Sequence, residues 1–247
     1  MLGKTIVAPA SAPGRGGVSV IRMSGSNAKA IAEDMCGGLA QSWKFRKCKI
    51  KSTDGLVLDS GLVVFFESPH SYTGEDVVEF HCHGNPTIVN LIVEDVVKRG
   101  AVIAEPGEFT KTAFLNDKID LAQAESVSDL INAQSKSAVI AANSSLSGNF
   151  SSSVDLIIRG LVSTRVMIEA HIDFPEEEID SDLLESISCE LSGFSKDIDR
   201  LLAEAVKSMR LREGYRVCIV GLPNAGKSTL LNTIAKESLA ITSGVPG

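Results

Sequence analysis

Short apolar runs separated by turn residues fill the first half of the chain, and a helical apolar repeat takes over in the second. "TIVAPA" (5–10) and "VSVIRMSG" (18–25) predict two strands around a glycine-rich turn at Gly14–Gly17. "NAKAIAEDMCG" places Ala28, Ile31, Ala32 and Met35 on one helical face, with Gly37 positioned to end it. "WKFRKCKIK" (43–51) alternates as an edge strand does. "GLVVFFE" (61–67) predicts a short buried strand, and "EDVVEFHCHG" (75–84) another. "NPTIVNLIVEDVVKRG" (85–100) reads as a helix with Pro86 in its first turn and Gly100 at its end.

From residue 119 the period changes. Leu121, Ala124, Val127, Leu130 and Ile131 recur at helical spacing, and the pattern runs on to Gly148. Asp120 with Gln123 three residues later forms a capping-box signature. "VDLIIRGLVSTRVMIEAHIDF" predicts a second helix. "PEEEID" (175–180) is an acidic break, and a long helix follows to Gly214, its Leu, Ile and Phe face reading as bundle core. Residues 215–247 restart: "RVCIVG" predicts a short buried strand and "KSTLLNTIAKES" a helix. The expected architecture is an α+β domain (1–118), an all-α helical domain (119–213) and the start of a Ras-like P-loop α/β domain (214–247).

Composition narrows the class. Apolar residues make up 44 % and charged residues 22 %, enough for a sizeable core and unlike a disordered chain. The net charge of −7 gives no overall field to attract nucleic acid, so RNA contact needs a local patch or a partner. Five scattered cysteines, with no C-x-x-C pair, indicate neither a disulfide framework nor a zinc ribbon. No apolar run approaches the ~20 residues of a membrane span, and the N-terminus lacks a signal-peptide core. A cytoplasmic protein without membrane contact is expected.

The strongest chemical motif is Gly221-Leu222-Pro223-Asn224-Ala225-Gly226-Lys227-Ser228, which fits G-x-x-x-x-G-K-[ST]. Its glycines let successive N–H groups face one centre, a cradle for phosphate oxygens at a helix N-terminus. Lys227 is placed to reach the β- and γ-phosphates, and the Ser228 hydroxyl to ligate Mg²⁺. Phosphoryl transfer also needs a metal-binding Asp and a group that places the attacking water. The guanine-reading D-x-x-G and N-K-x-D segments do not follow the loop in these residues. No catalytic residue is therefore assigned, and GTP hydrolysis by this chain alone is not expected.

Five blocks in order, "APGRGGVSVIRMSG" (12–25), "SYTGEDVVEFHCHGNP" (71–86), "PGEFTKTAFLNDKIDLAQAESVSDLI" (106–131), "IDFPEEEID" (172–180) and "LREGYRVCIVGLPNAGKSTLLN" (211–232), resemble the MnmE (TrmE) family of tRNA-modification GTPases. The resemblance implies an N-terminal domain that forms a homodimer and binds a reduced folate (5-formyl- or methylene-tetrahydrofolate). It implies a helical domain into which a G domain is inserted. It also implies a flavoprotein partner, MnmG, in a heterotetramer that modifies the tRNA wobble uridine at C5, with K⁺-dependent GTP hydrolysis. By that pattern Asn224, Ala225, Gly226, Lys227, Ser228 and Thr229 hold GTP, together with Ser243, Gly244, Val245, Pro246 and Gly247. Ser228 takes Mg²⁺, while Asn224, Ser243 and Val245 take K⁺. Folate contacts fall on Arg22, Glu79 and Lys118. Without the resemblance, those three read as a surface ion-pair set. "HCHGNP" departs from the more usual Gly-His-Gly-Gly-Pro of the family.

Other features have plainer readings. His81 and His83 share a strand face, but two ligands fall short of the three or four that zinc takes. Cys82 between them reads as packing. The basic, aromatic "WKFRKCKIK" offers a tRNA backbone contact, yet edge lysines that discourage strand pairing account for it. Two rival functions stand beside the main one: a folate-binding module with a non-functional nucleotide domain, and a P-loop ATPase of another class.

Overall fold

Alternation of apolar and polar residues over the first hundred positions builds one sheet with one greasy face. The computed structural model describes residues 3–173, 181–213, 218–222 and 225–235. The strands are β1 (Ile6–Pro9), β2 (Gly16–Ser24), β3 (Arg46–Lys51), β4 (Val57–Phe66), β5 (Val77–Gly84) and β6 (Val102–Ile103), ordered β3-β4-β5-β2-β1-β6. Neighbours pair antiparallel except β1 and β6, which run parallel. A parallel pair needs a crossover, and helix α2 (Pro86–Lys98) supplies it between β5 and β6. Helix α1 (Ala28–Cys36) carries the chain from β2 to the opposite edge at β3.

Both helices lie on one face of the sheet. Ile31 and Met35 of α1, and Val89, Ile92 and Val96 of α2, pack with Val7, Ile21, Met23, Ile50, Val63, Phe65, Val78 and Phe80 of the strands. Each such side chain contributes roughly 1.5–3 kcal/mol when fully buried. The helix ends follow the sequence signals. Gly37 closes α1 in the left-handed conformation (φ 69°), and the Asn85 side chain accepts from Thr87 N at the start of α2.

Close approach fixes Gly61 of β4. A Cβ there would lie 2.2 Å from the backbone oxygen of His81 on the neighbouring strand. The β3–β4 hairpin is tied to α2 by buried Asp95, which accepts from Thr53 N, Thr53 Oγ1 and Arg99 Nε. Arg99 also pairs with Asp34 of α1.

After β6 the chain is helical: α3 (Glu108–Leu115), α4 (Leu121–Asn132), α5 (Lys136–Leu146), α6 (Asn149–Asp173), α7 (Ser181–Glu213) and α8 (Lys227–Ala235). Contacts divide the chain into two compact units, Met1–Ile179 and Asp180–Gly247. In the first, the capping box at α4 forms as expected, with Gln123 N donating to Asp120 and Asp120 N to the Gln123 side chain. Gln123 also donates to Leu146 O, and Ser126 to the Ser145 hydroxyl, so its second use is to hold α4 against α5.

Three expectations need correction. The apolar repeat from 120 to 148 is two helices, not one. Ala133 is extended and the Ser135 side chain accepts from Ala138 N, opening a new helix. A serine competes with the helical ladder for its own neighbours' N–H groups. The expected strand at "RVCIVG" is absent from the described part, residues 218–221, where Val220 is 88 % exposed. A strand forms only where a second one takes its N–H and C=O groups, and among the described residues none lies beside it. The apolar positions Leu184, Leu191, Ile198, Leu202 and Val206 of α7 are exposed rather than core. The acidic break at 175–180 and the stop at Gly214 lie outside the described residues. The sequence pattern also missed β6 and α3, both too short to show a period.

Candidate functional site

The sheet face turned away from α1 and α2 is where the charged strand residues gather. Arg22 of β2 stands directly opposite Glu79 of β5 in the register, and its Nε donates to Glu79 Oε1 at 2.8 Å. Period-two alternation puts both on the open face, because Ile21, Met23, Val78 and Phe80 beside them face the helices. The Arg22 guanidinium lies 5.1 Å from the Tyr72 ring centre and 5.8 Å from that of Phe109. Such cation–π contacts are worth roughly 0.5–2 kcal/mol and hold the guanidinium in place.

His81, two residues along β5, extends the same row. Its Nε2 lies 3.4 Å from Glu79 Oε2, but the alignment makes no hydrogen bond, and the buried atom has no hydrogen-bond partner among the described residues. Phe45 meets the His81 ring edge-on at 5.2 Å. A buried polar atom left without a partner is costly and uncommon. This one marks the place where a ligand group with a matching donor or acceptor would fit.

The segment between β4 and β5 walls the site. Ser24 Oγ bonds Thr73 Oγ1 at 2.7 Å and donates to Glu75 Oε2 at 2.9 Å. Asn116 Nδ2 donates to Thr73 O at 2.7 Å, and Tyr72 Oη bonds Thr110 Oγ1 of α3 at 2.9 Å. Gly74 sits in the left-handed region (φ 78°), and a Cβ there would come within 3.2 Å of the Lys118 stem. Lys118 Nζ donates to Pro69 O at 2.9 Å.

Of the three expected folate residues, Arg22 and Glu79 are thus in direct contact. Lys118 bonds neither of them, but it anchors the loop that carries Tyr72 over Arg22. Sequence reasoning missed Tyr72, Phe109 and Gly74. Their only signal was membership of two quoted blocks, since a ring packed on a guanidinium leaves no periodic trace.

His83, mostly exposed, binds Asp59 through its backbone N at 2.7 Å and its ring at 2.8 Å. Burial alone would push Asp59 up. The hydrogen bonds from His83 and from Ser60 N outweigh it and hold the carboxyl below its ordinary value. No group of three or more metal-binding side chains occurs among the described residues. Cys82 is buried, and burial pushes its thiol up to about 11. The "WKFRKCKIK" segment does form the sheet edge as β3, with Lys47, Lys49 and Lys51 exposed.

At the phosphate loop, α8 begins at Lys227, directly after Gly226 (φ 82°). Lys227 Nζ donates to Gly221 O at 3.1 Å and Leu222 O at 2.8 Å, folding over the loop. Ala225, Ser228 and Thr229 flank that turn. Pro223, Asn224, Ser243, Gly244, Val245, Pro246 and Gly247 lie outside the described residues, and with them every expected K⁺ ligand.

Two family sequence models match. One, described as the GTP-binding protein TrmE N-terminus, covers residues 5–118. The other, the MnmE helical domain, covers residues 121–243. The chain belongs to the TrmE/MnmE family. Proteins named tRNA modification GTPase MnmE from Neisseria meningitidis serogroup B (strain MC58) and Neisseria gonorrhoeae (strain ATCC 700825 / FA 1090) are each 46 % identical over 245 residues, 98 % of this chain and 54 % of theirs. The protein of that name from Hydrogenovibrio crunogenus is 46 % identical over 243 residues, again 98 % and 54 %. The chain therefore spans about half the length of the relatives it matches. In family terms it consists of an α+β N-terminal part followed by a helical domain. No helix among the described residues is long and apolar enough to cross a membrane.

Proposed function

We propose that this chain supplies the folate-binding and dimerising portion, and the phosphate loop, of a cytoplasmic GTPase that modifies tRNA. Its divisions are a folate domain at 1–118, a helical domain at 119–213 and the opening of a G domain at 214–247. The observation that carries the folate assignment is the Arg22–Glu79 pair beside the unpartnered Nε2 of His81. Arg22 occupies Glu79 Oε1, which leaves Oε2 to accept from the paired N–H groups of a pterin edge. Tyr72 and Phe109 fix the guanidinium, whose remaining N–H groups suit a carbonyl or carboxylate. Lys118 stands at the far end of the same loop, where its ammonium suits the glutamate tail of a folate. Bound there, the folate would supply a one-carbon unit; the chain's own residues orient it.

At the phosphate loop, Lys227 exchanges its two carbonyl partners for the β- and γ-phosphate oxygens of GTP, and Ser228 holds Mg²⁺. Asn224, Ser243 and Val245 are assigned to K⁺ on the family pattern. The relatives' name supports GTP hydrolysis and tRNA modification for the whole protein. A homodimer through the N-terminal domain and a heterotetramer with an MnmG-like flavoprotein, which brings the tRNA, complete the reading.

Isothermal titration of 5-formyltetrahydrofolate into the chain tests the central assignment. Loss of one charge-assisted contact, roughly 1.5–3 kcal/mol, predicts about 10- to 100-fold weaker binding for Glu79→Gln and for Arg22→Ala. Wild-type affinity in both variants would refute the site. Binding that is lost in both while urea stability is retained supports it.

A further inference from the structure

The scattered cysteines indicated no disulfide framework, yet two of the five meet in the core. Cys36 closes α1 and Cys48 lies in the middle of β3. Their Sγ atoms are 3.0 Å apart, about 1 Å beyond the S–S bond length of ~2.05 Å. They are only 8 % and 7 % exposed, and the remaining buried cysteine, Cys82, points elsewhere with its Sγ on Ser19 O. Cys189 and Cys218 are exposed.

We infer that Cys36 and Cys48 are a modification site: a peroxide converts them to an intramolecular disulfide that staples the end of α1 to the sheet's free edge. Three features favour this. The sulfurs are already in register, so closing the bond needs little backbone movement. Arg46, two residues before Cys48 on the same strand, donates to Gly37 O and Gly38 O just beyond Cys36, which brings its positive charge close to both thiols. The shared hydrogen bond, then burial, pushes the Cys36 thiol up; the same bond pulls Cys48 below the ordinary thiol value, against burial and with a smaller help from the Arg46 charge. In this scheme Cys48, two residues from Arg46 on the same strand, reacts first and Cys36 is the resolving thiol.

The steps balance. The Cys48 thiolate attacks one peroxide oxygen, the O–O bond breaks, and hydroxide leaves with one proton to follow as water, giving a sulfenic acid. Cys36 then attacks that sulfur, the S–O bond breaks, and the thiol proton leaves with the hydroxyl as a second water. Two thiols are oxidised by two electrons and one hydrogen peroxide is reduced to two waters. A thiol reductant reverses the reaction by exchange. The closed loop, residues 36–48, contains Trp43 and Phe45, and within the sheet β3 has β4 as its single strand neighbour. Cross-linking therefore fixes the β3 edge of the sheet to the helix that packs on it.

The test uses the whole chain with Cys189→Ser and Cys218→Ser, which removes the exposed thiols. Hydrogen peroxide is added, free thiols are alkylated under denaturing conditions, and the protein is digested for mass spectrometry. The expected result is loss of two hydrogen atoms per chain, a single cross-linked peptide joining Cys36 to Cys48, and full reversal by dithiothreitol. The oxidised chain is also expected to melt several degrees higher than the reduced one. In a Cys36→Ser variant, Cys48 is expected to stop at the sulfenic acid and to be trapped by dimedone. Recovery of Cys36 and Cys48 as alkylated thiols after peroxide treatment of the folded chain would overturn the inference. So would oxidation of Cys82 in preference to either. Because the decisive readout is on intact Cys36 and Cys48, a variant that fails to fold does not blunt the test.

Discussion

Asp95→Ala strikes the polar joint between α2 and the β3–β4 hairpin. Asp95 is 3 % exposed and accepts from Thr53 N at 2.9 Å, Thr53 Oγ1 at 3.2 Å and Arg99 Nε at 2.8 Å. Truncation leaves the Thr53 N–H without its acceptor and strips a buried guanidinium of its closest anion. Removing one member of a buried ion pair costs about 3–5 kcal/mol. Orphaning a buried neutral donor costs about 1–3 kcal/mol. The two figures describe overlapping losses and are not summed. Arg99 keeps two other partners, the exposed Asp34 and Lys51 O at 3.4 Å, so the lower end applies.

The expected destabilisation is about 3 kcal/mol. Asp95→Asn keeps an acceptor for Thr53 but loses the charge facing Arg99, and is expected to cost about 1–2 kcal/mol. Urea unfolding followed by the fluorescence of Trp43, the chain's single tryptophan, reports on this part of the fold. A cost below about 1 kcal/mol for Asp95→Ala, or equal costs for the two variants, would refute the reasoning.

Asp120→Ala breaks the capping box of α4 and should cost about 1 kcal/mol by urea unfolding monitored at a helix band, with no change counting against the cap. Gly74→Ala forces a side chain into φ 78° and against Lys118, so a loss of about 1–2 kcal/mol in thermal unfolding is expected; a neutral result would mean the loop yields freely. Asp59 has a folded value held below its unfolded one near ~3.9. Its contribution is therefore present above that unfolded value and is lost as pH falls through the folded value. Asp59→Asn should lower stability at neutral pH and flatten the acid limb of a stability–pH curve. An unchanged acid limb would assign that limb to other carboxylates. Lys227→Ala should abolish binding of a fluorescent GTP analogue by the whole protein, and retained binding would remove Lys227 from the phosphate site.

The sequence by itself determined what repeats or is locally signalled. The strand alternation around Ile21 and Met23, the glycine stop at Gly37, the proline start at Pro86 and the Asp120–Gln123 cap all formed where their chemistry put them. Each depends only on neighbours within a turn or a pleat. The start of α8 at Lys227 after Gly226 was legible for the same reason, since a helix N-terminus after a glycine is a local device. Arg22 and Glu79, named from family likeness, lie 57 residues apart, and only the β2–β5 register sets them face to face. The rings of Tyr72 and Phe109 join them through a loop and a short helix that carry no period. Cys36 and Cys48, read as scattered thiols, meet because α1 crosses to the far edge of the sheet before β3 begins. Contacts of this kind depend on strand order and register. A sequence states those only through the fold as a whole, because the loop-closure cost of bringing distant residues together is met by the core and not by the residues that meet.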